Sequence, residues 1–365
     1  MICYLRCQPI SEDIRLKKYI QACKKRKVNY LAFTWDRLLM GIYDNNEIQF
    51  KTQCLYGQGI KNLFKKLSWQ FFLLKELFLN RKKYSVIHAC DFDTIFPALL
   101  AKFILKKKVI YDIYDAAGTT QSFLQKSLRT LDNIAIKHVD RLILADQERV
   151  KQINLSEAAQ KKLFVVENVP MVDDKVYPNA FETDGTKISY VGVLDRHRGL
   201  ENLLECVKRN ESIFLYIAGT GTLQDEVKKA SIECNRISYY DRVLYSKGLS
   251  IMKGSDIICG LYYPYISNHI YAAPNKYFES LYLGVPILTS KGTLVGKKTR
   301  THNTGYTIDS TIKDMENFLL SIDVKSDEYK CIKNNTIQIW DRFYAKYFET
   351  TLCNNYIQIL NNLNK

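Results

Sequence analysis

The ten cysteines of this chain fall in no CxxC pair and in no Cys/His ligand spacing. The pattern that holds a structural metal is missing, and the cysteines read as small buried hydrophobes of a reducing compartment. No long low-complexity tract occurs, so the whole chain is expected to be globular. No helix-turn-helix, zinc-finger or RRM signature is present, which argues against a nucleic-acid partner. Residues 1–9 are too short for a signal peptide and carry Arg6, so none is expected. In the strongly apolar segment 60–83 the longest uncharged run is 67–74. That is far short of the roughly 20 residues a membrane-spanning helix needs.

With 365 residues and 47% hydrophobic content, the chain is sized for two domains, each with its own core. Its net charge of +15 is unevenly spread. Residues 1–175 hold 30 Lys+Arg against 18 Asp+Glu, a net of +12, and the remainder holds 23 against 20, a net of +3. A basic half beside a near-neutral half points to one surface that meets something anionic. Segment 60–83 carries Trp69, Phe71 and Phe72 inside a lysine border. Such a helix suits the interface of an anionic membrane, and equally the core-facing place of a doubly wound fold.

Residues 263–290 read YPYISNHIYAAPNKYFESLYLGVPILTS. Pro274 and Asn275 stand where a helix begins. Tyr277, Phe278, Leu281 and Tyr282 form one apolar face. Gly284 and then Pro286 stop the helix, and 285–289 is a short buried strand. Lys276 and Glu279 are charged and one turn apart, near an N-terminus that favours anions. The string from Pro274 to Glu279, followed by Gly284-Val285-Pro286, resembles the donor-site signature of retaining glycosyltransferases of the GT-B type, family 4. On its own the Lys276/Glu279 pair is also what a surface salt bridge looks like.

The resemblance extends backwards. Strand 188–194 runs into Asp195-Arg196-His197-Arg198-Gly199, then a helix over 200–209. It is similar to the family's loop in which basic residues grip the donor diphosphate, a task that suits Arg. Gly192 is the first glycine of that loop. The family's arginine after it is replaced by Val193, so Arg196 or Arg198 must supply the charge, and Arg198 matches the position before the second glycine. His197 reads as an exposed loop residue. Gly219 and Gly221 close strand 212–218 and look like the glycine turn near the nucleotide. Arg242 and Val243 follow strand 236–241, where the family grips the nucleobase. The family's second glutamate is present as Glu279; its first would fall at Tyr271 and is absent.

The first half alternates strand and helix in the same doubly wound way. Strand 1–7, a helix to about residue 26 and strand 28–35 open it, with Arg15 and the 35–37 triplet near the ligand-binding rim. Strand 85–90 leads to Asp91-Phe92-Asp93, in which Asp91 or Asp93 is expected to cap the next helix. Strand 108–114 ends at Asp115. It resembles the family's strand ending in a histidine and an acid, with Tyr114 in the histidine's place. Asp115 is either a carboxylate that handles acceptor or sugar, or a turn aspartate. Gly118 permits a tight turn.

The expected architecture is therefore α/β: GT-B, two doubly wound Rossmann-like domains facing a central cleft. The boundaries are 1–170 for the acceptor domain, 171–187 for a linker, 188–335 for the nucleotide-sugar domain, and 336–365 for helices crossing back to the first domain. The resemblance implies retaining transfer from a nucleotide-diphosphate sugar to a saccharide, and by analogy a lipid-linked one in surface polysaccharide synthesis. It implies no cofactor and no obligatory metal, since Arg and Lys neutralise the leaving diphosphate. Catalytic candidates are Asp115, Arg198 and Lys276. Donor candidates are Gly192, Arg196, Arg198, Gly219, Gly221, Arg242, Val243, Pro274, Asn275, Lys276 and Glu279. The expected place is the cytoplasm, at the inner face of the cell membrane, on anionic lipid. The alternative is a non-catalytic GT-B subunit that partners an active transferase.

Overall fold

Strands β1 (Ile2–Arg6), β2 (Tyr30–Asp36), β3 (Glu47–Lys51), β4 (Val86–Cys90), β5 (Lys108–Ile113), β6 (Arg141–Leu144) and β7 (Leu163–Val165) form one sheet. Its order is β3-β2-β1-β4-β5-β6-β7, with every pair parallel. The computed structural model describes residues 1–54, 62–116, 123–171 and 175–364. Gly118, Lys61 and residues 172–174 of the expected linker lie outside them.

The second sheet contains β8 (Thr186–Val191), β9 (Ile213–Ala218), β10 (Ile237–Tyr240), β11 (Ile257–Cys259), β12 (Ile287–Ser290) and β13 (Gly305–Ile308). Among the described residues its order is β10-β9-β8-β11-β12-β13, again all parallel. Both orders reverse beside the first strand of the sheet, at β1/β4 and at β8/β11. In open parallel sheets that switch point opens a crevice at the strands' carboxyl ends. The central strands are mostly buried because helices cover both of their faces, with His88 in β4 and Asp112 in β5 among the buried polar exceptions.

The chain divides into two compact units, Met1–Glu167 with Lys346–Lys365, and Asn168–Ala345. In the first, one face of the sheet packs Trp69, Leu73, Ile95, Ala98 and Ile136 from three helices, Leu63–Leu79, Phe92–Leu105 and Phe123–His138. The other face packs helix Ile14–Lys25 and the last residues of the chain, including Tyr356 and Leu360. Asp13 caps helix Ile14–Lys25 by accepting the Leu16 N–H at 2.8 Å.

The Asp91/Asp93 capping expectation is corrected. Asp91 occupies the N-cap position of Phe92–Leu105 but makes no side-chain cap bond there. Its φ of +67° turns the carboxylate elsewhere. It accepts the Tyr114 N–H at 2.9 Å and the Asp115 N–H at 3.3 Å, and it pairs with Arg6. The residue ties the ends of β1, β4 and β5 together.

Candidate functional site

The second unit carries its charged candidates after the carboxyl ends of β8, β10 and β11, and its glycine candidates after β8 and β9. Helix Asn275–Leu283 begins at Pro274 and ends at Gly284. Apolar Tyr277, Phe278 and Leu281 anchor it in the core. This places Lys276 in its first turn with the side chain only 8% exposed. The ammonium lies 4.3 Å from the centre of the Tyr190 ring. Among the described residues it makes no hydrogen bond and no ion pair. Burial, and then the charge of Arg198, bring its pKa down to about 8, against the opposite pull of Glu279 and Cys259.

Two glycine turns form the floor beside it. Gly192, just past β8, has φ +146°, and a Cβ there would lie 2.8 Å from Lys276 Nζ. Gly219, just past β9, has φ +137°, and a Cβ there would fall 1.8 Å from the Gly192 carbonyl oxygen. Neither position admits a side chain in that backbone conformation. The turns are pinned by backbone bonds. Gly192 N–H donates to the Ala218 carbonyl at 2.9 Å, and Leu194 N–H to that of Thr220 at 3.0 Å. Gly221 packs against the Leu194 carbonyl.

Arg198 is half-buried, and its guanidinium lies 5.2 Å from the Tyr262 ring. Its charge acts on Lys276, Tyr190 and Tyr262 alike. The two arginines that the sequence offered differ in their surroundings. Arg196 is exposed and sits 3.6 Å from Glu201 and 3.5 Å from Glu226, directed into surface carboxylates. His197 is exposed and bonds the Tyr265 hydroxyl at 2.9 Å.

Glu279, 5% exposed, accepts the Tyr245 O–H at 3.0 Å. Burial and this carboxylate push the tyrosine's pKa upward, so the hydroxyl remains a donor. Arg242 is exposed, its N–H bonded to Asp241 at 2.7 Å, while Val243 packs beside Tyr216 and Ile251. Asn275 is exposed. Tyr271, where a glutamate would match the resemblance, is the C-cap of the short helix Ser267–Ile270.

Three tyrosines that sequence reading missed thus organise the candidates: Tyr190 under Lys276, Tyr262 beside Arg198 and Tyr245 on Glu279. Nothing in the sequence marks them: Tyr190 lies in a strand, Tyr262 just past one and Tyr245 at the start of a helix, where a tyrosine looks like any packing aromatic.

Asp115 belongs to the first unit and is exposed. Around it, Tyr114 lies with its ring 4.1 Å from the Arg6 guanidinium and 5.2 Å from that of Arg15. Arg6 also meets Asp13 at 2.5 Å. Burial raises Asp91 to about 6; the Arg6 cation pulls it back and the Asp115 charge pushes it further up. Arg149 donates to the Tyr114 carbonyl at 2.6 Å. Among the described residues no three His, Cys, Asp or Glu side chains cluster as metal ligands.

A scan against models of known protein families finds no match, and a search of curated proteins finds none. Solved structures do match over the full chain. HepE from Anabaena, solved with UDP and glucose, aligns with a TM-score of 0.73 at 13% identity, over 99% of this chain and 100% of that one. Sucrose-phosphate synthase from Thermosynechococcus elongatus gives 0.74 at 12% identity, over 99% and 100%. The fold is GT-B. A UDP-N-acetylglucosamine 2-epimerase shares much of it, with a TM-score of 0.56 at 14% identity over 92% and 90%. GT-B architecture therefore hosts more than one reaction, and the reaction must be argued from the site.

Proposed function

We propose that this chain is a retaining glycosyltransferase of the family 4 type, using a nucleotide-diphosphate sugar. The observation that carries the reading is Lys276, a largely buried ammonium at the start of a helix whose pKa burial and Arg198 lower more than Glu279 raises it. A cation largely taken out of water is costly unless more negative charge meets it. A diphosphate supplies the missing charge, and the helix N-terminus and Arg198 add to its binding.

In this reading the bond from the sugar's anomeric carbon to the diphosphate oxygen breaks, and negative charge grows on the leaving group. Lys276 and Arg198 meet that charge, so they stabilise the transition state more than the ground state. These two cations do the neutralising work with no obligatory metal. Glu279 is set to accept the ribose hydroxyls, with Tyr245 fixing its carboxylate. Gly192, Gly219 and Gly221 let the backbone approach the phosphates and ribose. Retention rests on the resemblance of the string from Pro274 to Pro286.

The first unit takes the saccharide acceptor, with Asp115 at the carboxyl end of β5 as the group to orient its hydroxyl. The +12 charge of residues 1–175 supports a lipid-linked acceptor of surface polysaccharide synthesis, met at the inner face of the cell membrane by a cytoplasmic protein.

A non-catalytic GT-B subunit is the second reading. It is favoured by Tyr114, which lies against Arg6 where the resemblance calls for a histidine. Both readings bind nucleotide, so turnover separates them. The test is incubation with a panel of nucleotide sugars, with release of nucleoside diphosphate as the readout. UDP-sugars come first, since HepE was solved with UDP-glucose. Release that is lost in Lys276→Ala supports the enzyme. Nucleotide binding without release in the parent supports the subunit. Absence of nucleotide binding overturns both.

A further inference from the structure

Lys276 and Arg198 both rest against aromatic rings. The Lys276 stem passes Gly260, just beyond β11, where a Cβ would lie 3.5 Å from its Cδ. Its ammonium then ends 4.3 Å from the centre of the Tyr190 ring. The Arg198 guanidinium lies 5.2 Å from the centre of the Tyr262 ring. Both tyrosines are buried, so their rings are held by what packs around them. Tyr190 belongs to the core under the second sheet, and its hydroxyl donates to the Val193 carbonyl at 2.6 Å. Tyr262 packs edge-on against His269, ring centres 5.6 Å apart.

Other cations of the molecule show the contrast. Arg196, in the same loop as Arg198, sits between Glu201 and Glu226. Arg6 and Arg15 of the first unit pair with Asp13 and Asp112. A carboxylate takes up a cation's N–H donors and cancels its charge. The face of a ring attracts the cation through its quadrupole, yet carries no net charge. Burial pushes both tyrosine hydroxyls up, Tyr262 to about 12 against the pull of Arg198. Neither therefore becomes a phenolate counter-charge near neutral pH. Glu279 acts on Lys276 through its charge, with no hydrogen bond or ion pair of Lys276 among the described residues.

We infer that Tyr190 and Tyr262 are positioning residues of the donor site, which hold Lys276 and Arg198 in place without neutralising them, so that both charges are left for the diphosphate. The inference rests on the reading of these two cations as diphosphate ligands, and it gives the reason for a ring rather than a carboxylate beneath each. A carboxylate there would compete with the incoming anion for the same donors and repel it. A ring does neither. It also keeps water from that side of the cation, and in the lower local dielectric the attraction for an anion is stronger.

The test is a double-mutant cycle on the full chain, read by ligand-observed NMR titration, which follows dissociation constants into the millimolar range. UDP, GDP and ADP are the probes, and the tightest binder is carried through the cycle. Tyr190→Leu should weaken binding about tenfold, the scale of a desolvated cation–ring contact. In the Lys276→Met background the same change should cost less than about twofold, because the charge that the ring positions is gone. Tyr190→Phe keeps the ring and should stay within about threefold of the parent. The thermal midpoint reports whether each variant folds. Tyr190→Met takes the place of a leucine variant that does not, and Tyr262→Leu with Arg198→Met runs the same cycle on the second pair. Equal loss in both backgrounds overturns the inference, since the ring then only fills the core. So does a phenylalanine variant as weak as the leucine one, which puts the effect in the hydroxyl's bond to Val193. A parent that binds none of the three nucleotides overturns the transferase reading, and the inference falls with it. A parent that binds one and shows no coupling overturns the inference alone.

Discussion

A Cβ at Gly192 would lie 2.8 Å from the ammonium of Lys276. The two residues are 84 positions apart, yet the turn after β8 is shaped around a side chain from the helix after β11. This is how a parallel sheet builds a site at its switch point: loops from non-adjacent parts of the chain converge at the strands' carboxyl ends.

Gly192→Ala should therefore displace Lys276 and strain the turn, since φ is +146° there. The strain costs about 1–3 kcal/mol. The expected outcome is a lower thermal midpoint together with a weaker stabilising effect of added nucleoside diphosphate. A ligand at 100 times its dissociation constant contributes about 2.7 kcal/mol in the parent, so the difference is measurable by thermal shift. An unchanged response to nucleotide would place the diphosphate elsewhere.

The lowered pKa of Lys276 gives a pH signature. Its folded value of about 8 lies below that of an unfolded lysine. Below pH 8 the folded state holds a buried cation at a cost, and that cost is relieved as pH rises through 8 towards the unfolded value. Protein stability without ligand should rise across that window. Nucleotide affinity should move the other way, because the diphosphate binds the protonated form. Above pH 8 the dissociation constant should rise by up to about tenfold per pH unit. Binding near pH 8.5 should take up a proton, visible by calorimetry in buffers of different ionisation enthalpy. Lys276→Met should flatten both profiles.

Kinetic partition tests the roles within the site. Lys276→Ala and Arg198→Ala each remove a cation from the leaving group, and loss of one such group costs roughly 10²–10³ in turnover. Glu279→Ala removes an acceptor, so the main expected change is weaker nucleotide binding. Arg196→Ala should change neither much, since its guanidinium lies among surface carboxylates. If Arg196→Ala equals Arg198→Ala in effect, the loop adopts a different arrangement with substrate bound.

The parts of this molecule governed by local pattern were legible in the sequence. Helix Leu200–Arg209 was read to the residue because its apolar face is unmixed and Gly199 precedes it. Helix Asn275–Leu283 was legible from Pro274, the apolar face and Gly284. Several elements carry no such pattern, helices Ser267–Ile270 and Leu294–His302 among them. Strand β3, EIQFK, has charged ends and no apolar run, and helix Gln224–Glu233 buries only Val227 and Ala230. What local pattern cannot carry is the partner across the fold. Asp91 looked like a cap because Asp precedes a helix, but its carboxylate is taken by backbone 23 residues on. By sequence Arg198 is set apart from Arg196 only by its place before the second glycine; the carboxylates of Glu201 and Glu226 beside Arg196, and Tyr262 beside Arg198, come from elsewhere in the fold.

The buried pair beneath the first sheet's switch point offers a test of stability. Asp112, fully buried, accepts two bonds from Arg15 at 3.0 and 2.9 Å and one from the Tyr19 hydroxyl at 2.8 Å. Burial alone would raise its pKa, but the Arg15 cation and His88 hold it well below the usual carboxylate range. His88 is itself pushed down by burial, against Asp112, and so is neutral at pH 7. Removing one partner leaves the other charge buried and unpaired. Arg15→Met should cost about 3–5 kcal/mol at pH 7. The sign of the pH dependence follows. In the parent, the stabilisation from ionised Asp112 is complete above the unfolded carboxylate value and is lost as pH falls towards the depressed folded one. In Arg15→Met the lone Asp112 takes up a proton readily, which relieves its penalty as pH falls. The stability gap between the two proteins should therefore narrow from pH 7 to pH 4 in urea melts. The double variant Arg15→Met/Asp112→Leu should be more stable than either single one, because it removes both charges together. A gap that stays constant with pH would mean that Arg15 contributes through its 2.6 Å bond to the Val166 carbonyl and its packing rather than through Asp112.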